Sequence, residues 1–212
     1  MNDTAASAEH GAGIRSDDGE TAEPAVPAAA LWLPGSALGC YEGDARLRSW
    51  LLTPGLLTQR IREAAGTGYR MQLLGERPTA GGGHLREIVM CCGPATWLYA
   101  RTEVPPATLA AHPWLARIGT LSLGEALAAR GGVARSDFAF ARLLPDTAVV
   151  RRALEVAGLP QQSLWVRRST FQAGSTPTGP QAFDLFEVFL PGIAAEPGLG
   201  AEPALPAVTS PP

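Results

Sequence analysis

Six stretches rich in β-branched, aromatic and aliphatic residues read as strands: Tyr69 to Leu74, Leu85 to Cys92, Thr96 to Val104, Ser136 to Leu143, Ser163 to Phe171 and Phe183 to Leu190. Gly93-Pro94 is a turn that makes a hairpin of the second and third, and Gly81-Gly82-Gly83 reads as a hairpin loop ahead of the second. Leu47 to Leu52 predicts a short helix. Thr53-Pro54 then reads as a helix start, with Thr as cap and Pro at the first position, opening a segment to about Ala65 with Leu56, Leu57 and Ile61 on its apolar side. Pro106 to Ala110 and Leu123 to Arg130 are further helical pieces, and Thr147 to Ala157 is helical or irregular. Strands joined by short turns, with clustered helices, predict an α+β domain: a single antiparallel sheet of about six strands with helices on one face.

Two of these strands break their own pattern. Side chains alternate across a strand, so Phe183, Leu185, Glu187 and Phe189 share one face. On the second strand the same count groups Arg86 with Ile88 and Met90. A buried charge costs several kcal/mol, roughly, unless it is paired or solvated. One solution is a buried salt bridge between Arg86 and Glu187. The other is a polar pocket for an anionic, hydroxylated small molecule.

The rest of the chain narrows the class. Of 212 residues, 46% are hydrophobic, enough for one core and one domain. Residues 1–30 and 192–212 are rich in Ala, Pro and Gly, without apolar periodicity, and are expected to be disordered tails around a domain at 31–191. The start of the chain has neither a basic stretch followed by an apolar run nor the basic character of a transit peptide, and no stretch is long enough to span a bilayer, so a cytoplasmic protein with no stable membrane insertion is expected. Formal charge is −3, but residues 31–191 hold sixteen bases against twelve acids, a net of +4. That suits an anionic metabolite better than a nucleic acid, which would want a dense basic stripe or a reading module. Cys40, Cys91 and Cys92 lack metal spacing and read as reduced structural thiols, and the three histidines are scattered, so no metal is expected.

The residues also carry a resemblance. Trp50-Leu51 is followed by Gly55-Leu56-Leu57-Thr58-Gln59-Arg60. Leu85-Arg86-Glu87-Ile88 then comes with Cys91, and Trp97-Leu98 with Ala100-Arg101-Thr102 and Val104-Pro105. Leu121-Ser122-Leu123-Gly124, Trp165 with Arg167-Arg168-Ser169, and Glu187-Val188-Phe189-Leu190-Pro191 complete the order. Together they resemble the chorismate-pyruvate lyases of ubiquinone biosynthesis, from about Arg48 to Pro191. The resemblance implies a monomer whose ligand lies in an enclosed cavity between sheet and helical flaps, and cleavage of chorismate to 4-hydroxybenzoate and pyruvate without a cofactor. It also implies roles: Arg86 holds the ring carboxylate, Glu187 meets the ring hydroxyl, and Leu57 and Leu123, one in each flap, line the ligand. Leu57 stands where relatives can carry Met.

The substrate class implied is a dianion, so a second cation is needed. Arg101 and Arg168 are the candidates for the enolpyruvyl carboxylate, with a ladder of Arg and Glu pairs involving Glu87 and Glu103 as the structural alternative. Trp97 and Trp165 read as core anchors. The competing function is a non-catalytic effector-binding domain of the same fold, as found in some bacterial transcription regulators. Residues before Arg46 are too polar and too rich in Pro and Gly to build the DNA-binding domain that such proteins carry.

Overall fold

The computed structural model describes residues 25–27, 29–38, 43–176 and 179–195. Its strands are β1 (Leu33–Pro34), β2 (Tyr69–Pro78), β3 (His84–Cys92), β4 (Ala95–Val104), β5 (Ala134–Arg135), β6 (Ala139–Leu143), β7 (Leu164–Thr176) and β8 (Gly179–Phe189). Its helices are α1 (Gly35–Leu38), α2 (Ala45–Leu51), α3 (Leu57–Ala65), α4 (Pro106–Ala111), α5 (Leu123–Arg130), α6 (Ala148–Ala157) and α7 (Gly192–Ala195). All eight strands join one antiparallel sheet in the order β1-β6-β7-β8-β4-β3-β2, with β5 paired to β7 beside β6. The α+β antiparallel architecture is as expected, but eight strands replace about six. β1 and β5, at two residues each, are too short to carry a period-two signal.

Helices cover both faces of the sheet, not one. On one face α6 buries Val149, Val150, Ala153 and Leu154 against Val89, Tyr99, Val166 and Val188. At about 1.5–3 kcal/mol for each large aliphatic side chain, this stripe is ample reason for Thr147 to Ala157 to be helical rather than irregular. Gly158, in the left-handed region at φ 63°, ends it. On the other face α2 and α3 bury Trp50, Leu51, Leu57 and Ile61 over Ile88, Met90, Leu98 and Phe189. Further along that face, Leu123 of α5 joins Val104, Phe171 and Phe183.

Thr53-Pro54 does not start α3, which begins at Leu57 with no side-chain cap. The Thr53 hydroxyl instead donates to the Trp50 carbonyl at 2.8 Å, closing the end of α2, and accepts from Arg60 at 2.7 Å. At the ends, packing reaches past residues 31 and 191: Ala25 and Ile193 are both buried in the core. Residues 1–24 and 196–212, where most of the tail expectation falls, lie outside the described residues, as does Cys40. Neither Cys91 nor Cys92 forms a disulfide among the described residues. Among the described residues, no helix is long and apolar enough to cross a membrane.

One irregularity positions a functional group. β2 pairs with β3 in regular register up to Leu73 opposite Ile88, then shifts, so that Gly75 faces Glu87 and Glu76 faces Arg86. The bulge adds one residue to β2 and moves Glu76 onto the face of Met71 and Leu73.

Candidate active site

A cavity of about 500 Å³ lies on the α3/α5 face of the sheet. Its floor is Arg86, Ile88 and Met90 from β3, Leu98, Ala100 and Thr102 from β4, Leu185 and Glu187 from β8, and Arg167, Ser169 and Phe171 from β7. Each set has the period of two that a strand imposes. The starts of two helices wall the other side: Leu56, Leu57 and Thr58 at α3, and Ser122, Leu123 and Gly124 at α5. Ser122 and Glu125 form a reciprocal capping box that fixes where α5 begins.

Four of the expected residues, Arg86, Glu187, Leu57 and Leu123, therefore line one cavity. Arg86 and Glu187 are not bonded to each other. Arg86 is 2% exposed; its Nε donates to Glu76 Oε1 at 3.0 Å, and its NH2 donates to the carbonyls of Gly119 at 2.8 Å and Leu121 at 2.6 Å. Burial lowers its proton affinity and Glu76 acts in the opposite sense. NH1 takes no part in these bonds, and so a planar donor edge remains for a guest.

Glu187 is held by Arg167, which the sequence reading passed over. Arg167 Nε reaches Glu187 Oε2 at 2.7 Å and NH2 reaches Oε1 at 3.1 Å, a two-pronged pair. Its NH1 donates to the carbonyls of Leu51 at 3.2 Å and Thr53 at 3.0 Å. The two buried arginines thus do the same work on opposite walls. Arg86 ties the segment before α5 to the sheet, and Arg167 ties the segment before α3. Arg62 and Glu125, 2.8 Å apart, join the two helices to each other.

Arg101 and Arg168 do not reach this cavity. Their strand positions alternate with Ala100, Thr102, Arg167 and Ser169, and so both project from the opposite face. Arg101 pairs with Glu103 at 2.6 Å, and Arg168 lies 4.6 Å from the ring centroid of Trp32. Glu87, on that face too, is buried between the Tyr99 hydroxyl, Arg77 at 2.7 Å and Arg152 at 3.5 Å. Burial raises its proton affinity, but these bonds outweigh it and leave the carboxyl below its ordinary value. Arg101 therefore joins an Arg and Glu pair on that face, whereas Arg168 stacks on an aromatic ring instead. Trp97 and Trp165 are buried in the core and do not line the cavity.

The cavity also contains two residues to which the sequence assigns no role. Arg135, on β5, stands exposed at its rim with NH2 donating to the Pro54 carbonyl at 2.8 Å. Ser169 is buried in the floor, and its Oγ has no hydrogen-bond partner. Ser169 and Arg167 were reachable from alternation through Trp165 and Phe171. Arg135 was not, because it falls just before the strand expected at Ser136 to Leu143, and the two-residue β5 that carries it has no period of its own.

An antiparallel sheet carrying a partly open cavity, floored by strands and walled by two helix starts, defines an α+β domain with a pocket of small-molecule size. No protein-family model matches the chain. A protein of Ralstonia nicotianae named probable chorismate pyruvate-lyase is 35% identical over 164 residues, 68% of this chain and 81% of its own. One of the same name from Dechloromonas aromatica is 34% identical, covering 71% of this chain and 89% of its own. The chain belongs to the chorismate pyruvate-lyase family. Among solved structures, the effector domain of PhnF from Mycobacterium smegmatis overlaps 65% of this chain and 90% of its own at 12% identity, with a TM-score of 0.43.

Proposed function

We propose that this protein is a lyase that converts chorismate to 4-hydroxybenzoate and pyruvate in the cavity between α3, α5 and the sheet. The observation that carries this reading is the placement of Arg86 and Glu187: a cation on β3 and an acid on β8, two strands apart, line one cavity while each is held by a partner other than the other. The volume lies within the roughly 300–1,000 Å³ typical of small-ligand pockets.

In this reading the ring carboxylate of chorismate meets the NH1 edge of Arg86, and the ring hydroxyl donates to Glu187. As half of an ion pair, the carboxylate accepts hydrogen bonds only, and Arg167 leaves it lone pairs to accept the hydroxyl. The bond between the ring and the ether oxygen breaks, and the hydroxyl-bearing carbon gives up its proton. The electrons of that C–H bond complete the aromatic ring. The departing enolpyruvate takes a proton on its methylene carbon and becomes pyruvate, so that one dianion yields two monoanions. Glu187 orients the hydroxyl beside the carbon that loses its proton, and the largely apolar lining reduces the water around the ether. Leu57 and Leu123 open their helices, and the first amides of a helix have no intrahelical acceptor. Contact through those amides or through apolar bulk makes Leu in place of Met at position 57 a mild change.

The test is to mix purified protein with chorismate, follow pyruvate with a coupled dehydrogenase and follow 4-hydroxybenzoate by absorbance. Equal amounts of both products are expected. Binding of 4-hydroxybenzoate with no pyruvate released would identify a binding domain instead, and failure to bind either compound would remove both readings.

A further inference from the structure

Three guanidinium groups line the cavity, and two of them are neutralised. Arg86 has Glu76 and Arg167 has Glu187. Arg135 pairs with no carboxylate among the described residues. A single N–H is bonded, to the Pro54 carbonyl, and the group lies 4.4 Å from the Phe138 ring centroid. A guanidinium has five N–H donors, so most of its hydrogen-bonding capacity faces outward from these contacts. Nearby, Ser169 is 1% exposed in the cavity floor with its Oγ unpartnered, whereas buried polar atoms are nearly always bonded. β5 and β7 bring these two groups to one end of the cavity: Arg135 pairs with Phe171, and Ser169 lies two residues along β7 on the same face. Arg86 is three strands away from β7, about 14 Å at the usual spacing.

We propose that Arg135 and Ser169 form a second anion subsite, which receives the side-chain carboxylate of a dianionic substrate whose ring carboxylate is held at Arg86. The inference rests on the lyase reading of the cavity and adds to it. With Glu187 on β8, between β7 and β4, the order across the floor is ring carboxylate, ring hydroxyl, side-chain carboxylate, which follows the order of these groups around the substrate. The aromatic product has lost the second carboxylate. The subsite therefore distinguishes substrate from product, and it places a cation at the rim beside the departing pyruvate.

Wild type, Arg135→Ala, Arg135→Lys and Ser169→Ala are compared for KM with chorismate and, separately, for Kd with 4-hydroxybenzoate by calorimetry. Arg135→Ala is expected to raise KM by about tenfold or more, the scale of a charge-assisted hydrogen bond, and to leave the product Kd within about twofold. Arg135→Lys recovers most of the loss, and Ser169→Ala raises KM by about threefold to tenfold. If Arg135→Ala weakens both ligands equally, the residue merely braces Pro54 and the subsite is refuted; an unchanged KM refutes it too. Pyruvate release by the wild type tests the lyase reading separately. If there is none, chorismate and 4-hydroxybenzoate are compared as equilibrium ligands. Selective loss of chorismate binding in Arg135→Ala still upholds the subsite, and a wild type that binds neither overturns it.

Discussion

Arg167 and Glu187 face each other in the β7–β8 register and close a two-pronged ion pair at 2.7 and 3.1 Å, both buried. The acid at the centre of the proposed chemistry is thereby fixed in rotation and tied, through the remaining arm of Arg167, to the chain entering α3.

Glu187→Gln keeps the size of the side chain and a hydrogen-bonding oxygen but removes the charge. It is expected to retain 4-hydroxybenzoate binding within a few fold and to lose turnover by at least about a hundredfold, the scale of a positioned acid or base. Steady-state kinetics beside calorimetric titration separate the two, and unchanged turnover would take Glu187 out of the reaction. The variant also leaves Arg167 buried without its counter-ion, so the urea midpoint should fall.

Arg167→Lys retains the charge but not the fork, and one ammonium cannot serve both Glu187 oxygens and the carbonyls of Leu51 and Thr53 together. We expect stability to fall by about 1–3 kcal/mol. Amide exchange should quicken at residues 51–57, and kcat should drop more than product affinity. Wild-type exchange rates there would show that Arg167 does not hold this wall.

Arg86→Lys similarly frees the carbonyls of Gly119 and Leu121 and removes the planar edge offered to a carboxylate. The Kd for 4-hydroxybenzoate should rise by about tenfold or more. Glu76→Gln, which leaves Arg86 in place, should cost less; calorimetry of the two variants would reveal an equal loss if Arg86 were only a brace.

Glu125 gives the bridge between α3 and α5 an acid limit. Its bond to Arg62 and then its bonds to Ser122 hold the carboxyl down at about 2, against an ordinary value of 4.5. A depressed carboxyl pKa contributes stability that is complete above the unfolded value and is lost as pH falls through the folded one, here between about 4.5 and 2. The bridge is partly exposed, with side chains 49% and 33% accessible, so its contribution is at most about 1 kcal/mol. Urea unfolding between pH 5 and pH 2 should show Glu125→Gln less stable than wild type at the upper end and equal to it at the lower; parallel curves would mean the bridge contributes nothing.

Local signals were sufficient wherever a residue's neighbours along the chain decide its conformation. Leu123 to Arg130 was legible to the residue because a serine cap, a glutamate three positions on and a glycine stop are all local. The six long strands, and the odd charges Arg86 and Glu187 on apolar faces, could likewise be read from period-two alternation alone. Facing was harder. Both sides of this sheet are covered, so alternation does not mark inside from outside, and it leaves Arg168 as good a candidate as Arg167, which is the one that faces the cavity.

What only the tertiary structure decided depends on contacts between distant segments. The Glu76 partner of Arg86 exists because a bulge after Leu73 shifts β2 by one residue. Arg135 reaches the cavity through a two-residue strand that exists only because β7 is there to pair with it. Sequence determined which side chains had to find partners, since a buried charge carries its desolvation cost wherever it lies. Which partner each one found was decided by register, bulge and sheet order, because those set which segments meet in space.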